Sequence, residues 1–173
     1  MMSLSNFRIE TDRLIIRPFE ERDISSSYKM NLDPEVSKYT GDGGVVSKTE
    51  IERRIKEHVF GDYKIYGFGR FAVELKSTGE FIGFTGLKYL DDMDEVDIGF
   101  RFMSQYWGKG YATESALPCI EYGFKTLGLK SIIGLVLPEN KGSINVLKKL
   151  GFKFEKEVME DGELAHKYLL LSE

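Results

Sequence analysis

The sequence predicts an α/β domain of the α+β kind, in which helices pack against a mixed sheet. Two observations carry this prediction. The chain has 173 residues, the length of one domain. Strand and helix signals then follow in the order β-α-α-β-β-β-α-β-α-β-β, which is typical of a layered α/β domain. No repeat, low-complexity tract or linker divides the chain, so we expect a single domain over residues 1–173.

The N-terminal third is predicted to contain one strand and two helices. Arg13–Phe19 has the pattern of a strand, and its proline suits the end or edge of a sheet. Glu20–Leu32 has helical periodicity and runs into the turn at Asp33 and Pro34. Ser47 has the character of an N-cap, because an acidic residue stands three positions later and apolar residues follow at helical spacing. These apolar residues are Ile51, Ile55 and Val59.

A run of β signals occupies the middle of the chain. Phe68–Leu75 and Glu80–Leu90 flank the hairpin connection Lys76–Gly79, in which a glycine is available for positive φ. Glu95–Phe102 alternates between two sets of side chains, as a half-buried strand does. One set is Val96, Ile98, Phe100 and Phe102, and the other includes Asp97, Gly99 and Arg101.

The C-terminal half alternates helices and strands. The predicted helices are Thr113–Leu127, which Gly128 would cap, and Asn140–Leu150. Between them the nearly all-apolar stretch Ser131–Leu137 has the pattern of a strand buried on both faces. Two closing strands are expected near Phe154–Met159 and Ala165–Leu171.

Composition excludes several classes of function. The net charge is −4, from 24 basic and 28 acidic residues, which argues against nucleic acid as the main partner and suits a cationic substrate such as an amine. Cys119 cannot form an internal disulfide, and with two histidines it lacks metal-ligand spacing. Neither a signal peptide nor an apolar run of membrane-spanning length is apparent. We therefore expect a cytoplasmic protein with no metal and no membrane contact.

The most informative segment is Tyr106–Glu114, with the sequence YWGKGYATE, between a predicted strand and a helix. Its glycines let an anion approach the backbone closely, and the helix that follows adds a partial positive charge. The side chain of Lys109 would add a mobile charge at the rim. The alternative is a tight turn that needs positive φ. A dinucleotide fingerprint does not fit the glycine spacing, and no G-K-[ST] follows for a P-loop.

These residues resemble a known family. Trp107–Ala112 is similar to the Q/R-x-x-G-x-G/A loop of the GCN5-related N-acetyltransferases (GNAT), with tryptophan at the Gln/Arg position. The form W-G-K-G-Y-A-T-E is typical of the RimJ/RimL-type branch, the ribosomal-protein N-terminal acetyltransferases and their relatives. Three further stretches agree with that branch: Glu10–Pro18, Glu80–Leu87 and Asn140–Phe152. The resemblance spans roughly residues 10 to 155.

The resemblance implies a fold and a cofactor site. The GNAT fold has a mixed, mostly antiparallel sheet that splays between its fourth and fifth strands, with helices on both faces. The cleft would hold acetyl-CoA as co-substrate. The implied binding residues are Phe100, Arg101 and Phe102 for pantetheine, Gly108, Lys109, Gly110, Tyr111, Ala112 and Thr113 for pyrophosphate, and Asn140 with Ser143 from the next helix. Asn140 is also a good N-cap of that helix.

The resemblance also suggests catalytic residues. Asp97 stands where the branch has the glutamate of E-I-G-Y and would be the general base, with Glu95 as the second candidate. The position that often holds a tyrosine is Leu147, so Ser143, one turn earlier, would hydrogen-bond or protonate the thiolate. Asp97 could instead be a structural ion-pair partner, and Ser143 could satisfy a local backbone group. Cys119 is expected in the core.

The predicted activity is transfer of acetyl from acetyl-CoA to a primary amine. A protein N-terminal α-amine is one acceptor hypothesis, because a group with pKa near 8 is about 10% neutral at pH 7. A polyamine or an aminoglycoside is the alternative acceptor. The alternative to an enzyme is a catalytically silent acetyl-CoA sensor. Acceptor contacts are expected from Tyr39–Tyr66 and from the strand hairpins at the far end of the cleft. The segment Gly41–Gly44 would either fold over a cationic acceptor or form a plain surface loop. Lys167–Leu171, taken as an edge strand, suggests a homodimer.

Overall fold

The computed structural model describes residues 4–40 and 43–173 as one eight-stranded sheet with helices on both faces. The strands are β1 Ile9–Glu10, β2 Leu14–Pro18, β3 Arg70–Leu75, β4 Phe81–Leu90, β5 Glu95–Phe102, β6 Ser131–Val136, β7 Lys153–Glu160 and β8 Glu163–Leu171. The helices are α1 Asp23–Leu32, α2 Pro34–Ser37, α3 Lys48–Arg53, α4 Phe60–Tyr66, α5 Tyr111–Lys125 and α6 Lys141–Lys149. Among the described helices, none is long and apolar enough to cross a membrane.

The predicted capping of α3 is confirmed. The Ser47 hydroxyl accepts a hydrogen bond from the Glu50 amide at 3.1 Å. A π-helical turn over Arg54–Val59 joins α3 to α4, and Gly67 ends the run with φ of +76°. The predicted helix already reached Val59, and only its continuation into α4 was not predicted. At the Asp33–Pro34 turn the structure also has a short helix, α2, because Asp33 caps it and proline at its first position needs no hydrogen bond.

The sheet opens in its middle, as expected. The strand order is β1-β2-β3-β4-β5-β6-β8-β7, and neighbours are antiparallel except β5 and β6. These two strands, the fourth and fifth of the prediction, are parallel and meet only at Asp97 and Ile133. The mixed, mostly antiparallel sheet and its splay are therefore confirmed.

The expectation that Lys167–Leu171 is an edge strand is wrong. These residues lie in β8, which pairs with β6 on one side and with β7 on the other. The chain runs out along β7, turns at Asp161 and Gly162, and returns between β7 and β6. The free C-terminal edge is therefore β7, and a homodimer stays a prediction.

Each face of the sheet carries its own apolar cluster. On one face α5 and α6 pack against alternate strand residues such as Phe71, Val73 and Ile98. On the other face α1 and α3 pack on Phe19 and Ala72. Cys119 is 1% exposed in the first cluster, and burial raises the pKa of its thiol to about 12. Its predicted place in the core is confirmed.

A buried ion-pair network joins α1 to the sheet. The Arg17 guanidinium in β2 donates to both carboxylate oxygens of Asp23, at 2.8 and 2.9 Å, and to Glu74 of β3 at 2.6 Å. The side chains of all three residues are at most 10% exposed. Burial alone would lower the pKa of Arg17, but the two carboxylates raise it, so the guanidinium stays charged. The network fixes the start of α1 against β2 and β3.

Arg17→Met is expected to lower the free energy of unfolding by about 3–5 kcal/mol, because it leaves the Asp23 carboxylate buried without a basic partner and leaves Glu74 with only Arg22 at 3.3 Å. Urea denaturation followed by circular dichroism measures this loss. Arg53→Met, which removes only exposed helix pairs, is the matched control and should change stability little. Equal urea midpoints for the two variants would refute the structural importance of the network.

Candidate functional site

A cleft of about 960 Å³ opens where β5 and β6 separate. The outer part of β5, the loop before α5, the end of β6 and the first turns of α6 line it. Beyond Asp97, β5 has no strand partner on its β6 side, so this edge of Gly99–Phe102 faces the cleft. The Phe102 carbonyl already accepts a hydrogen bond from the Trp107 indole at 2.8 Å.

The loop before α5 has the geometry of an anion site. Gly108 and Gly110 adopt φ of +73° and +84°, a region that glycine enters at little cost. The positive-φ turn that the sequence offered as the alternative is therefore present, and it is compatible with an anion site. α5 starts directly after Gly110, so its unpaired N–H groups and the positive end of its dipole adjoin the cleft. The Trp107 indole bond to Phe102 anchors the first end of the loop. The tryptophan at the Gln/Arg position therefore has a local structural role.

The start of α6 forms the opposite wall. The Asn140 side chain accepts a hydrogen bond from the Ser143 amide at 3.2 Å, which confirms its N-cap geometry. Ser143 is half-buried and lines the cleft. Leu147, one turn later, is 2% exposed and packs against Gly134, where a Cβ would lie 2.7 Å from a leucine methyl. The position that often holds a tyrosine is thus occupied by core packing.

Asp97 lies at the base of the cleft, 8% exposed. Its Oδ1 forms an ion pair with Nη2 of Arg70 at 2.9 Å. The angle at the donor does not meet the geometry of a hydrogen bond, so Oδ1 has no hydrogen-bond partner among the described residues. The guanidinium stands over Gly99, where a Cβ would lie 2.5 Å from it. Burial raises the pKa of the Asp97 carboxyl, and the positive charges of Arg70 and Lys88 only partly oppose this. The geometry is that of the ion-pair alternative, with a carboxyl that remains able to bind a proton.

The structure brings most of the predicted site residues together, and two side chains lie elsewhere. Glu95 does not line the cleft, because its carboxylate is 2.5 Å from the Lys167 ammonium of β8. The side chain of Lys109 is exposed and also lies outside the cleft lining. Arg101 does line it and stacks over the Phe84 ring, with 5.3 Å between the guanidinium carbon and the ring centroid.

The sequence predicted acceptor contacts from strand hairpins at the far end of the cleft, but it did not single out the acidic residues at the turn between β7 and β8. Glu160, Asp161 and Glu163 line the cleft. Burial, together with the negative charges of Asp92, Asp161 and Asp97, raises the pKa of Glu160. Among the described residues, none forms an ion pair with Glu160, Asp161 or Asp92. The acidic composition of this turn was visible, but its place beside Asp97 depends on the sheet order.

The predicted acceptor region contributes only in part. Tyr39 and Thr40 line the cleft, together with Glu35 and Val36 just before them. Of the segment Gly41–Gly44, the first two residues lie outside the described residues. Gly43 and Gly44 have positive φ and border a shallower depression next to the β7–β8 turn. Arg70 was also missed, since an arginine that opens a strand carries no sequence signal of its own.

Comparison with known proteins agrees with this geometry. Residues 13–153 match the family model described as an acetyltransferase (GNAT) domain. The chain is 35% identical over 148 residues to YnaD, an uncharacterised N-acetyltransferase of Bacillus subtilis, covering 85% of this chain and 83% of YnaD. A GNAT-family acetyltransferase structure from Bacillus anthracis superposes with a TM-score of 0.81 at 27% identity, over 95% of this chain and 98% of the other.

Two further similarities involve proteins named for different acceptors. Spermidine N(1)-acetyltransferase of Escherichia coli K12 is 26% identical over 147 residues, which is 84% of this chain and 76% of that protein. The structure of a putative ribosomal-protein-serine acetyltransferase from Vibrio cholerae has a TM-score of 0.80 at 18% identity, over 99% and 100% of the two chains. At that identity the second likeness concerns the fold alone.

Proposed function

Since the chain belongs to the acetyltransferase (GNAT) family, we propose that it acetylates a primary amine of a polycationic small molecule, with polyamines as the simplest acceptors of that class. The chain is an acetyl-CoA-dependent N-acyltransferase. The unneutralised carboxylates at the acceptor side of the cleft carry the proposal. The W-G-K-G-Y-A-T-E loop supports assignment to the RimJ/RimL-type branch, whose fold is compatible with either acceptor.

The cofactor half of the proposed site lies at the loop and the two helix starts. Gly108–Thr113 would hold the pyrophosphate through backbone N–H groups and the dipole of α5. The backbone of Phe100–Phe102 on the cleft side of β5 would pair with the amides of the pantetheine arm, and Asn140 with Ser143 would contact it from α6. These residues fit an extended, amide-bearing anion, because open backbone groups stand next to a positive helix end. Acetyl-CoA supplies an activated acyl group there.

The acceptor half is mostly acidic, with Lys38 as a basic residue in the same lining. Among the described side chains, no basic partner is found for Glu160, Asp161 or Asp92. Burial is the largest cause of the raised pKa of Glu160, and repulsion by Asp92 and Asp161 raises that pKa further. Glu35 and Glu163 line the same cleft. A ligand with several ammonium groups would supply the missing positive charge, and the field would raise its local concentration. The similarity to a spermidine N(1)-acetyltransferase supports the same acceptor class.

Asp97 is the proposed general base. An ammonium group must lose a proton before its nitrogen can attack a thioester, and a carboxyl with a raised pKa accepts that proton better than an ordinary one. The shorter side chain of aspartate favours transfer through a water molecule. Backbone N–H groups at the open edge of β5 would stabilise the oxyanion, and the Ser143 hydroxyl would donate to the departing thiolate. Leu147 offers no donor.

The loop assignment predicts a specific defect. Gly110→Ala should raise KM for acetyl-CoA at least about tenfold, because a methyl group would obstruct phosphate and disturb charge-assisted N–H contacts. Gly128→Ala is the matched control, since Gly128 also has positive φ, +72°, and lies in open space at the end of α5. Steady-state kinetics compares the two variants. If both variants have the same KM for acetyl-CoA, the effect comes from backbone strain alone and the loop assignment is contradicted.

The base assignment predicts a change in pH dependence. Asp97→Asn should lower kcat/KM for the amine roughly hundredfold near pH 7, and the deficit should shrink as pH rises and the amine loses its proton unaided. The profile of kcat/KM between neutral and alkaline pH measures this. Asp62→Asn, which breaks the neighbouring ion pair with Lys88, is the control. A wild-type and an Asp97→Asn profile that differ by one constant factor would exclude Asp97 as the base.

The acceptor is tested by thiol release from acetyl-CoA with spermidine, an α-amino peptide and an aminoglycoside. We expect the highest kcat/KM with spermidine, and a KM for spermidine that rises with salt because screening weakens the acidic field. Glu160→Gln should raise that KM roughly three- to tenfold and leave KM for acetyl-CoA unchanged. Glu121→Gln, on an exposed part of α5 outside the cleft lining, makes the same charge change as a control.

Each other outcome assigns a different function. Faster turnover of the α-amino peptide, with no effect of Glu160→Gln on spermidine, would contradict the polycation and support a protein N-terminus. No thiol release above background with any amine would replace the proposed enzyme with a silent acetyl-CoA-binding domain.

A further inference from the structure

The segment before β2 is hydrogen-bonded to the first turn of α5. The Arg13 side chain donates to Glu114 Oε1 at 2.7 Å, and the Arg13 amide donates to Glu114 Oε2 at 3.0 Å. The Thr11 hydroxyl donates to the same Oε2 at 2.6 Å. We call Thr11, Arg13 and Glu114 the strap. It joins two segments about a hundred residues apart in the chain, and none of its three side chains takes part in the chemistry proposed above.

The strap also holds the glycine loop itself. Nη2 of Arg13 donates to the Lys109 carbonyl at 3.0 Å, and its guanidinium lies 4.4 Å from the centroid of the Tyr111 ring. In a trans peptide the C=O and the next N–H point in opposite directions. Turning the Lys109 carbonyl towards Arg13 therefore turns the Gly110 N–H away from it. Within residues 4–40 and 43–173, no protein group accepts a hydrogen bond from that N–H.

We propose that Arg13 and Glu114 are positioning residues that hold the Gly108–Gly110 loop in its phosphate-binding shape before acetyl-CoA arrives. The proposal rests on the cofactor role proposed for this loop. Both glycines are exposed and free to take many conformations, so an untied loop would have to be ordered by the ligand. A loop that is already ordered spares the ligand that entropy cost and binds more tightly.

The charge of Glu114 makes Arg13 necessary for a second reason. Glu114 lies in the first turn of α5, where its carboxylate would repel a pyrophosphate. Burial alone would raise its pKa, but hydrogen bonds from Thr11 and Arg13 lower it, so the group is ionised. The guanidinium neutralises that charge while it holds Lys109. Lysine could supply the charge but not the planar fork that reaches both acceptors.

The experiment measures coenzyme A affinity by isothermal titration calorimetry, together with KM for acetyl-CoA and kcat. For Arg13→Ala we expect Kd and KM for the cofactor to rise roughly five- to thirtyfold, from the ordering cost of one residue. The value of kcat at saturating acetyl-CoA should stay within about twofold, since the bound loop regains its shape. Arg13→Lys should recover only part of the affinity, and Glu114→Gln should lose less than Arg13→Ala.

Arg8→Ala is the matched control, because Arg8 forms an exposed ion pair with Glu10 in the same N-terminal segment and does not touch the loop. It should leave Kd unchanged. Wild-type coenzyme A affinity in Arg13→Ala, or an equal loss in Arg8→Ala, would overturn the proposal. A fall in kcat without a change in cofactor KM would do the same. If Arg13→Ala fails to fold, Arg13→Lys with an unchanged melting temperature provides the decisive measurement.

Gly110→Ala separates this proposal from the one on which it rests. If Gly110→Ala weakens coenzyme A binding and Arg13→Ala does not, the loop binds phosphate and only the strap is wrong. If neither variant weakens binding, the loop assignment itself has failed.

Discussion

β5 and β6 remain together for the single pair of Asp97 and Ile133, and then the sheet divides. Each strand is held on its other side by an antiparallel neighbour, β4 for β5 and β8 for β6, so the sheet stays one body while its middle opens. The division leaves backbone donors and acceptors of β5 facing a cleft rather than a strand. Buried polar groups of this kind need partners, and an amide-bearing chain is a suitable occupant. The cleft, its lining and the chemistry proposed for it all depend on this gap.

The electrostatic character changes along the cleft. At one end the glycine loop and the start of α5 present N–H groups and a positive dipole, which suit a phosphate. At the other end the turn between β7 and β8 presents carboxylates that lack basic partners among the described residues, which suit a cation. Asp97 lines the same cleft and is 8% exposed. An anionic donor and a cationic acceptor would thus be drawn to opposite ends and meet at the residue with the raised pKa.

Three arginines fix the segments on which this arrangement depends. Arg17 ties α1 to β2 and β3 through buried carboxylates, Arg70 holds Asp97 from β3, and Arg13 holds the glycine loop and the start of α5. Each uses the planar guanidinium to reach two partners at once, which lysine cannot do with the same geometry. Arginines on β2, on β3 and directly before β2 therefore hold segments of the site that lie outside those strands.

The sequence by itself determined the local structure and the family, because these features depend on residues only a few positions apart. They are the cap at Ser47, the glycines of the loop, the alternation of Glu95–Phe102 and the cap at Asn140. It did not determine which strand forms the edge, so Lys167–Leu171 was misplaced, because strand order depends on contacts distant in sequence. For the same reason Glu95 was predicted beside Asp97 but pairs with Lys167. Only the tertiary structure brought Arg70 to Asp97, Glu160 to the cleft and Arg13 to Glu114, since pairs so far apart leave no local pattern.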